Sequence, residues 1–181
     1  MAGKKSQRKT QKTKKPPLIP LTRGEGDPDS WRYRIMVKPS VLLVDDEAPF
    51  VETMAKRLDK RGVSVSVALS GPEALKIIGD GGPSKIDVVV LDVKMPGMDG
   101  LETLAAIKAE HPTLEVIMLT GHATVESAIE GMKRGAFDYL MKPCDMEVLI
   151  SKVEEACRKK RLHEAKILEA RAQMIALRRG D

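Results

Sequence analysis

The sequence predicts an α/β fold: five parallel strands in one doubly wound sheet, helices on both faces, and a long C-terminal helix. Three observations carry this. Five short runs rich in Val, Leu, Ile and Met recur between residues 41 and 141, each too short for a helix and each ending on polar residues. Between them, apolar residues recur at three- and four-residue spacing, as in an amphipathic helix laid on a core. Strict alternation of the two patterns requires crossovers, which make neighbouring strands parallel and cover both faces of the sheet.

Val41-Leu42-Leu43-Val44 reads as a buried strand that ends on Asp45-Asp46-Glu47. Phe50, Val51, Met54, Ala55 and Leu58 then mark a helix over 48–60, stopped by Arg61-Gly62. Residues 63–68 alternate Val with Ser, which suits a strand with one less buried face at the sheet edge. Ser70 is placed to cap a helix through Ile78, with Gly79 to Gly82 as its exit. The third strand, 86–91, delivers Asp92 to its C-terminal end, and Pro96, Gly97 and Gly100 break the chain just after it.

Leu101, Leu104, Ala105 and Ile107 mark a third helix, halted at His111-Pro112 because proline disfavours helix in the residue before it. A fourth strand over 115–119 ends on Thr120-Gly121-His122, and a helix over 124–133 carries Val125, Ala128, Ile129 and Met132 before Gly135. The fifth strand, 138–141, ends on Lys142-Pro143. From 145 to 177 the pattern is helical; Val148, Leu149, Val153 and Ala156 are expected to cover the sheet. Beyond Arg158 the helix is charged, with a thin stripe of Leu162, Ala165, Leu168, Ala172 and Ile175 that fits either a partner helix or dimer seam, or a solvated helix. The flavodoxin-like strand order 2-1-3-4-5 fits this series and puts the first and third strands side by side.

A chain of 181 residues accommodates one ordinary domain with extensions. The expected division is a basic N-terminal segment over 1–37, a folded domain over 38–160 and a helical extension over 161–181. The net charge of +5 is unevenly spread, since residues 1–40 hold 11 Lys/Arg against 3 Asp/Glu and the remainder 20 against 23. Residues 1–15 could reach nucleic acid or another polyanion through phosphate contacts; a solvated tail, or a true start at Met36, is the plainer reading, since basic runs are common. Five aromatic residues are too few for a base-stacking surface. No apolar run approaches a membrane span or a secretory signal, and Cys144 and Cys157 form neither a metal pair nor a disulfide framework. The expectation is a soluble, cytoplasmic protein.

The strand ends bring polar groups to one rim: Asp45 and Asp46 from the first, Asp92 from the third, Thr120 from the fourth and Lys142 from the fifth. That rim is where open α/β sheets bind ligands. Carboxylates crowded there repel one another, and a hard divalent cation with oxygen ligands relieves the repulsion. Mg²⁺, which uses one or two carboxylates and keeps several waters, suits the site better than Ca²⁺, and no His/Cys cluster points to zinc or copper. One carboxylate oxygen could then attack phosphorus while Mg²⁺, Lys142 and the Thr120 hydroxyl hold the equatorial oxygens, leaving an aspartyl phosphate. Singly, each residue has a plainer reading: an ion pair for Lys142, a helix cap for Thr120, loop or turn acids for the aspartates. Their convergence carries the chemistry.

Leu43-Val44-Asp45-Asp46-Glu47, the run from Leu91 to Gly100, Leu119-Thr120-Gly121-His122-Ala123 and Tyr139-Leu140-Met141-Lys142-Pro143 together resemble the receiver domain of two-component response regulators. The resemblance implies that Asp92 accepts a phosphoryl group from the phosphohistidine of a sensor histidine kinase or phosphotransfer protein. It implies that Asp46 and Asp92 contact Mg²⁺ with the backbone carbonyl of Lys94, while Asp45 acts largely through water. Lys142 and Thr120 would bind phosphoryl oxygens, Tyr139 would turn inward with Thr120, and a cis peptide would precede Pro143. The face made by the fourth helix, fifth strand and fifth helix would signal to a downstream protein target.

The side chains of Lys94 and His122 flank the site at positions that vary in the family, and Cys144 stands where an aromatic is common. The charged helix beyond the receiver is too short for a helix-turn-helix module, so a single-domain receiver of chemotaxis type is expected. Its only chemistry would be Mg²⁺-dependent phosphorylation and dephosphorylation of Asp92. The alternative is a polyanion-binding protein whose basic arm is the output under receiver control. A phosphohydrolase of similar topology would commonly need a second acid where this chain has Lys94.

Overall fold

The computed structural model describes residues 38–81, 85–121 and 124–178. Ten elements alternate along them: β1 (Ser40–Val44), α1 (Ala48–Asp59), β2 (Ser64–Ala68), α2 (Gly71–Gly81), β3 (Val88–Leu91), α3 (Gly100–Glu110), β4 (Glu115–Thr120), α4 (Val125–Lys133), β5 (Asp138–Met141) and α5 (Met146–Arg178). The basic N-terminal segment, with the nucleic-acid reading of residues 1–15, and His122 lie outside the described residues.

All four strand pairings are parallel, in the order β2-β1-β3-β4-β5. Side chains alternate across the sheet and divide the core in two. Leu42, Val44, Val89, Leu91, Val116 and Met118 face Ala74 and Ile78 of α2 and Leu104 and Ile107 of α3. Val41, Leu43, Val88, Val90, Ile117 and Leu119 face Val51, Met54 and Leu58 of α1 and Met146, Leu149, Val153, Ala156 and Cys157 of α5. The three central strands are buried on both faces, which is why their sequences are continuously apolar. β2 lies at the edge, and its Val67 is 43% exposed.

Three details depart from the sequence pattern. α2 runs past Gly79 to Gly81, because burial of Ala74 and Ile78 holds the helix against the modest cost of one glycine. On α4, Val125, Ile129 and Met132 are exposed and Gly131 is the buried residue; its bare backbone lets the helix lean on Leu101, Met118 and Tyr139. Val148 also faces outward, and Met146 and Cys157 fill the core in its place.

Candidate functional site

Register brings the functional residues together. Val44 pairs with Leu91, so Asp45 and Asp92 leave the sheet side by side, and the Asp92 N–H donates to the Val44 carbonyl at 2.9 Å. Thr120 pairs with Met141, and the Lys142 N–H donates to the Thr120 carbonyl at 2.8 Å. Asp45, Asp92 and Thr120 are all buried, whereas Asp46 and Glu47, one and two residues farther, are exposed.

Lys142 joins the two buried acids. Its Nζ lies 2.5 Å from Asp45 Oδ2, 3.3 Å from Asp92 Oδ1 and 3.9 Å from the exposed Glu47. Burial works against the ammonium, but the hydrogen bond to Asp45 and the charges of both aspartates outweigh it and raise its pKa above that of an ordinary lysine. Burial likewise pushes the Asp45 carboxyl up, opposed by the Lys142 hydrogen bond and by the Glu47 N–H donating to Oδ1 at 2.9 Å. The ammonium is thus the counterion that lets two carboxylates share one dry rim.

The loop after Asp92 is fixed from both ends. The Lys94 N–H donates to Asp92 Oδ2 at 2.8 Å, while the Lys94 side chain is exposed. Gly97 takes φ of +75°, which favours glycine, and Asp99 caps α3 in a reciprocal pair with Glu102. At Gly100 an added Cβ would stand 2.0 Å from the Asp92 carbonyl oxygen, so only glycine admits the helix this close. The Lys142–Pro143 peptide is cis. Tyr139 is half-buried, with its hydroxyl 2.8 Å from Ser127 Oγ at the start of α4.

The metal reading can be tested on these donors. Among the described residues no three acidic, histidine or cysteine side chains already converge as a cage. The donors present are nonetheless all hard oxygens, and two of them are buried carboxylates close enough for the charge of Asp92 to raise the Asp45 pKa. That chemistry fits Mg²⁺, which takes few protein ligands and completes its shell with water and substrate oxygens.

The sequence matches the response regulator receiver domain over residues 41–154. This chain belongs to that family. The receiver is 36% identical over 121 residues to the DNA-binding transcriptional regulator NtrC of Escherichia coli (strain K12), covering 67% of this chain and 25% of that protein. It is 34% identical over 137 residues to the transcriptional regulatory protein ZraR of Klebsiella oxytoca, covering 76% and 30%. Among solved structures, a response regulator receiver domain protein from Clostridium thermocellum is 37% identical with a TM-score of 0.65, over 68% of this chain and 98% of the other. The receiver domain of NtrX from Brucella abortus is 35% identical with a TM-score of 0.59, over 65% and 97%. The chain spans about a quarter of the length of its NtrC relative.

Three contacts of the receiver site were not anticipated from sequence: Glu47 near Lys142, Phe50 beneath it, and Ser127 on Tyr139. A signal existed for Ser127, which stands three residues after Thr124, the spacing of a reciprocal helix cap. Phe50 carried only the signature of a core residue.

Proposed function

We propose that this receiver accepts a phosphoryl group on Asp92 and relays it as a change of shape to a protein target. Response regulators receive signals from histidine kinases; here the donor would be a phosphohistidine of such a kinase or of a phosphotransfer protein. The observation that supports this most is the Lys142 ammonium, set between two buried carboxylates at the C-terminal rim of the sheet. In the transfer, an Asp92 carboxylate oxygen forms a bond to phosphorus while the P–N bond to the donor imidazole breaks. The imidazole leaves with the electron pair and takes up a proton.

Lys142, with one N–H turned to the incoming oxygens, would offset the charge that accumulates on them, and the Thr120 hydroxyl would donate to another. Asp46, Asp92 and the Lys94 carbonyl would hold Mg²⁺, with Asp45 acting through water; when bound it supplies the positive charge that phosphoryl transfer needs. About two negative charges arriving on Asp92 would draw Lys142 and Thr120 toward it, and Tyr139 would move with them. The face that would change is α4–β5–α5, where Val125, Ile129, Met132, Met141 and Val148 are exposed. A target with a matching apolar surface would read it.

Incubation with acetyl phosphate and Mg²⁺ should label the wild type and leave Asp92→Asn unlabelled, read on a phosphate-affinity gel. Label of equal extent on both would sink the reading.

A further inference from the structure

We propose that Phe50 is a positioning residue for phosphoryl transfer, holding the Lys142 ammonium over its ring at the point where Asp45 and Asp92 meet it. The inference rests on Asp92 being the phosphoacceptor. Lys142 Nζ lies 4.2 Å from the Phe50 ring centroid, on the same residue whose ammonium contacts both buried aspartates. A ring face carries negative charge density and attracts a cation at this range, the more so when the cation has lost water. The Lys142 side chain is only 14% exposed, so that condition holds.

The ring is placed independently of the lysine. Phe50 sits in the first turn of α1 and packs against the core cluster that α1 and α5 share, so its position is set by the hydrophobic core. Lysine is a flexible stem ending in a point charge with three donors, and on its own it holds no fixed geometry. Asp45 and Asp92 pull it along the rim; Phe50 fixes it from beneath. The attraction to a ring face also uses no particular N–H. As a phosphoryl group arrives on Asp92, the ammonium can turn a donor from carboxylate to phosphoryl oxygen without leaving the ring. Phe50 thereby restricts the ammonium in both states while not competing for the bond that matters.

A ring that merely covers the lysine stem would tolerate any isosteric replacement. Fluorinated phenylalanines keep the shape and progressively remove the negative face. The test measures initial rates of Asp92 labelling by acetyl phosphate with Mg²⁺ for the full chain carrying mono-, di- and trifluorophenylalanine at position 50, alongside Phe50→Trp and Phe50→Leu. Thermal midpoints of each establish that it is folded. The rates should fall stepwise with fluorination, be retained in Phe50→Trp and drop roughly threefold to thirtyfold in Phe50→Leu, the span of a cation–π contact. Equal rates across the folded fluorinated series overturn the proposal. The contact itself is read by NMR from the ring-current shift of the Lys142 ε-methylene, which should vanish in Phe50→Leu; no such shift in the wild type also overturns it. A wild type that takes no label yet shows the shift removes the phosphoacceptor reading, and this proposal with it, while leaving the contact in place.

Discussion

Cys157 shows what burial does to a single group. Its thiol is packed into the core between α5 and the sheet, and burial pushes its pKa up to about 11, with the nearby charge of Asp87 adding to the effect and Arg161 opposing it. At pH 8 only about one such thiol in a thousand is ionised. Native alkylation and mass spectrometry should therefore find half-buried Cys144 modified and Cys157 spared. The folded state holds this proton more tightly than the unfolded chain, whose thiol titrates near the ordinary value of 9.0, so stability through this group is constant below that pH and declines as pH climbs toward 11. Denaturant titrations at pH 8 and pH 10.5 should show a larger loss for wild type than for Cys157→Ala. At this scale, the sequence showed that Asp45, Asp92, Thr120 and Lys142 end their strands on one side, because strand ends are marked by abrupt changes of polarity. It did not show that Phe50 lies beneath Lys142, a contact between residues far apart in the chain that only the packing of α1 creates.

Helix α4 is the element where local chemistry and switch geometry meet. Thr124 and Ser127 cap each other: the Thr124 side chain accepts from the Ser127 N–H, and Ser127 Oγ accepts from the Thr124 N–H, each at 3.1 Å. The same Ser127 hydroxyl is hydrogen-bonded to Tyr139, so the start of α4 and the central aromatic of β5 share one group. Ser127→Ala leaves the Thr124 cap on the backbone N–H of residue 127 in place but removes the reciprocal bond from the Thr124 N–H and the bond to Tyr139. It should destabilise the protein by about 1 kcal/mol, as the loss of a hydrogen bond does. It should also release the tyrosine. With Tyr33→Phe as background, a single fluorotyrosine at 139 gives one ¹⁹F signal, which should broaden or shift in Ser127→Ala; an unchanged signal and midpoint would refute the coupling. The existence of α4 was legible in its spacing, but its apolar stripe marks an outer surface, because Gly131 and not Ile129 meets the core. Periodicity shows that a helix has two faces. It does not say which of them finds a partner.

Across the whole molecule the two ends of the sheet carry opposite kinds of polar site. The C-terminal rim gathers acids around one lysine. At the N-terminal rim Asp87 takes two bonds from Arg161, at 3.0 and 2.7 Å, and one from the Ser40 N–H, while Glu115 meets Lys159 at 2.9 Å. Lys108 stands 3.6 Å from Glu115 and donates to the Leu114 carbonyl, and among the described residues Glu115 Oε2 has no hydrogen-bond donor. These pairs tie α5 to the starts of β3 and β4, just before exposed Leu162. The first half of α5 lies on the sheet, and beyond Arg161 the helix is an arm on which Leu162, Leu168, Met174, Ile175 and Leu177 are exposed; no helix among the described residues is long and apolar enough to cross a membrane. The chain order of strands and helices foretold the topology, since alternation admits few arrangements; the anchor was hidden because Asp87 and Arg161 each look like surface charges. Arg161→Met keeps the stem but strands the Asp87 carboxylate. With Asp87 nearly buried and the arginine side chain one quarter exposed, the cost should be about 1–3 kcal/mol, below that of a fully buried pair. Asp87→Asn combined with Arg161→Met should recover part of that loss, because no charge is then left unpaired. Hydrogen exchange in the arm should rise in Arg161→Met while Asp92 labelling at the opposite rim stays at the wild-type rate. Additive losses in the double variant would show that the two side chains act separately, and α5 would then be held by its core face alone.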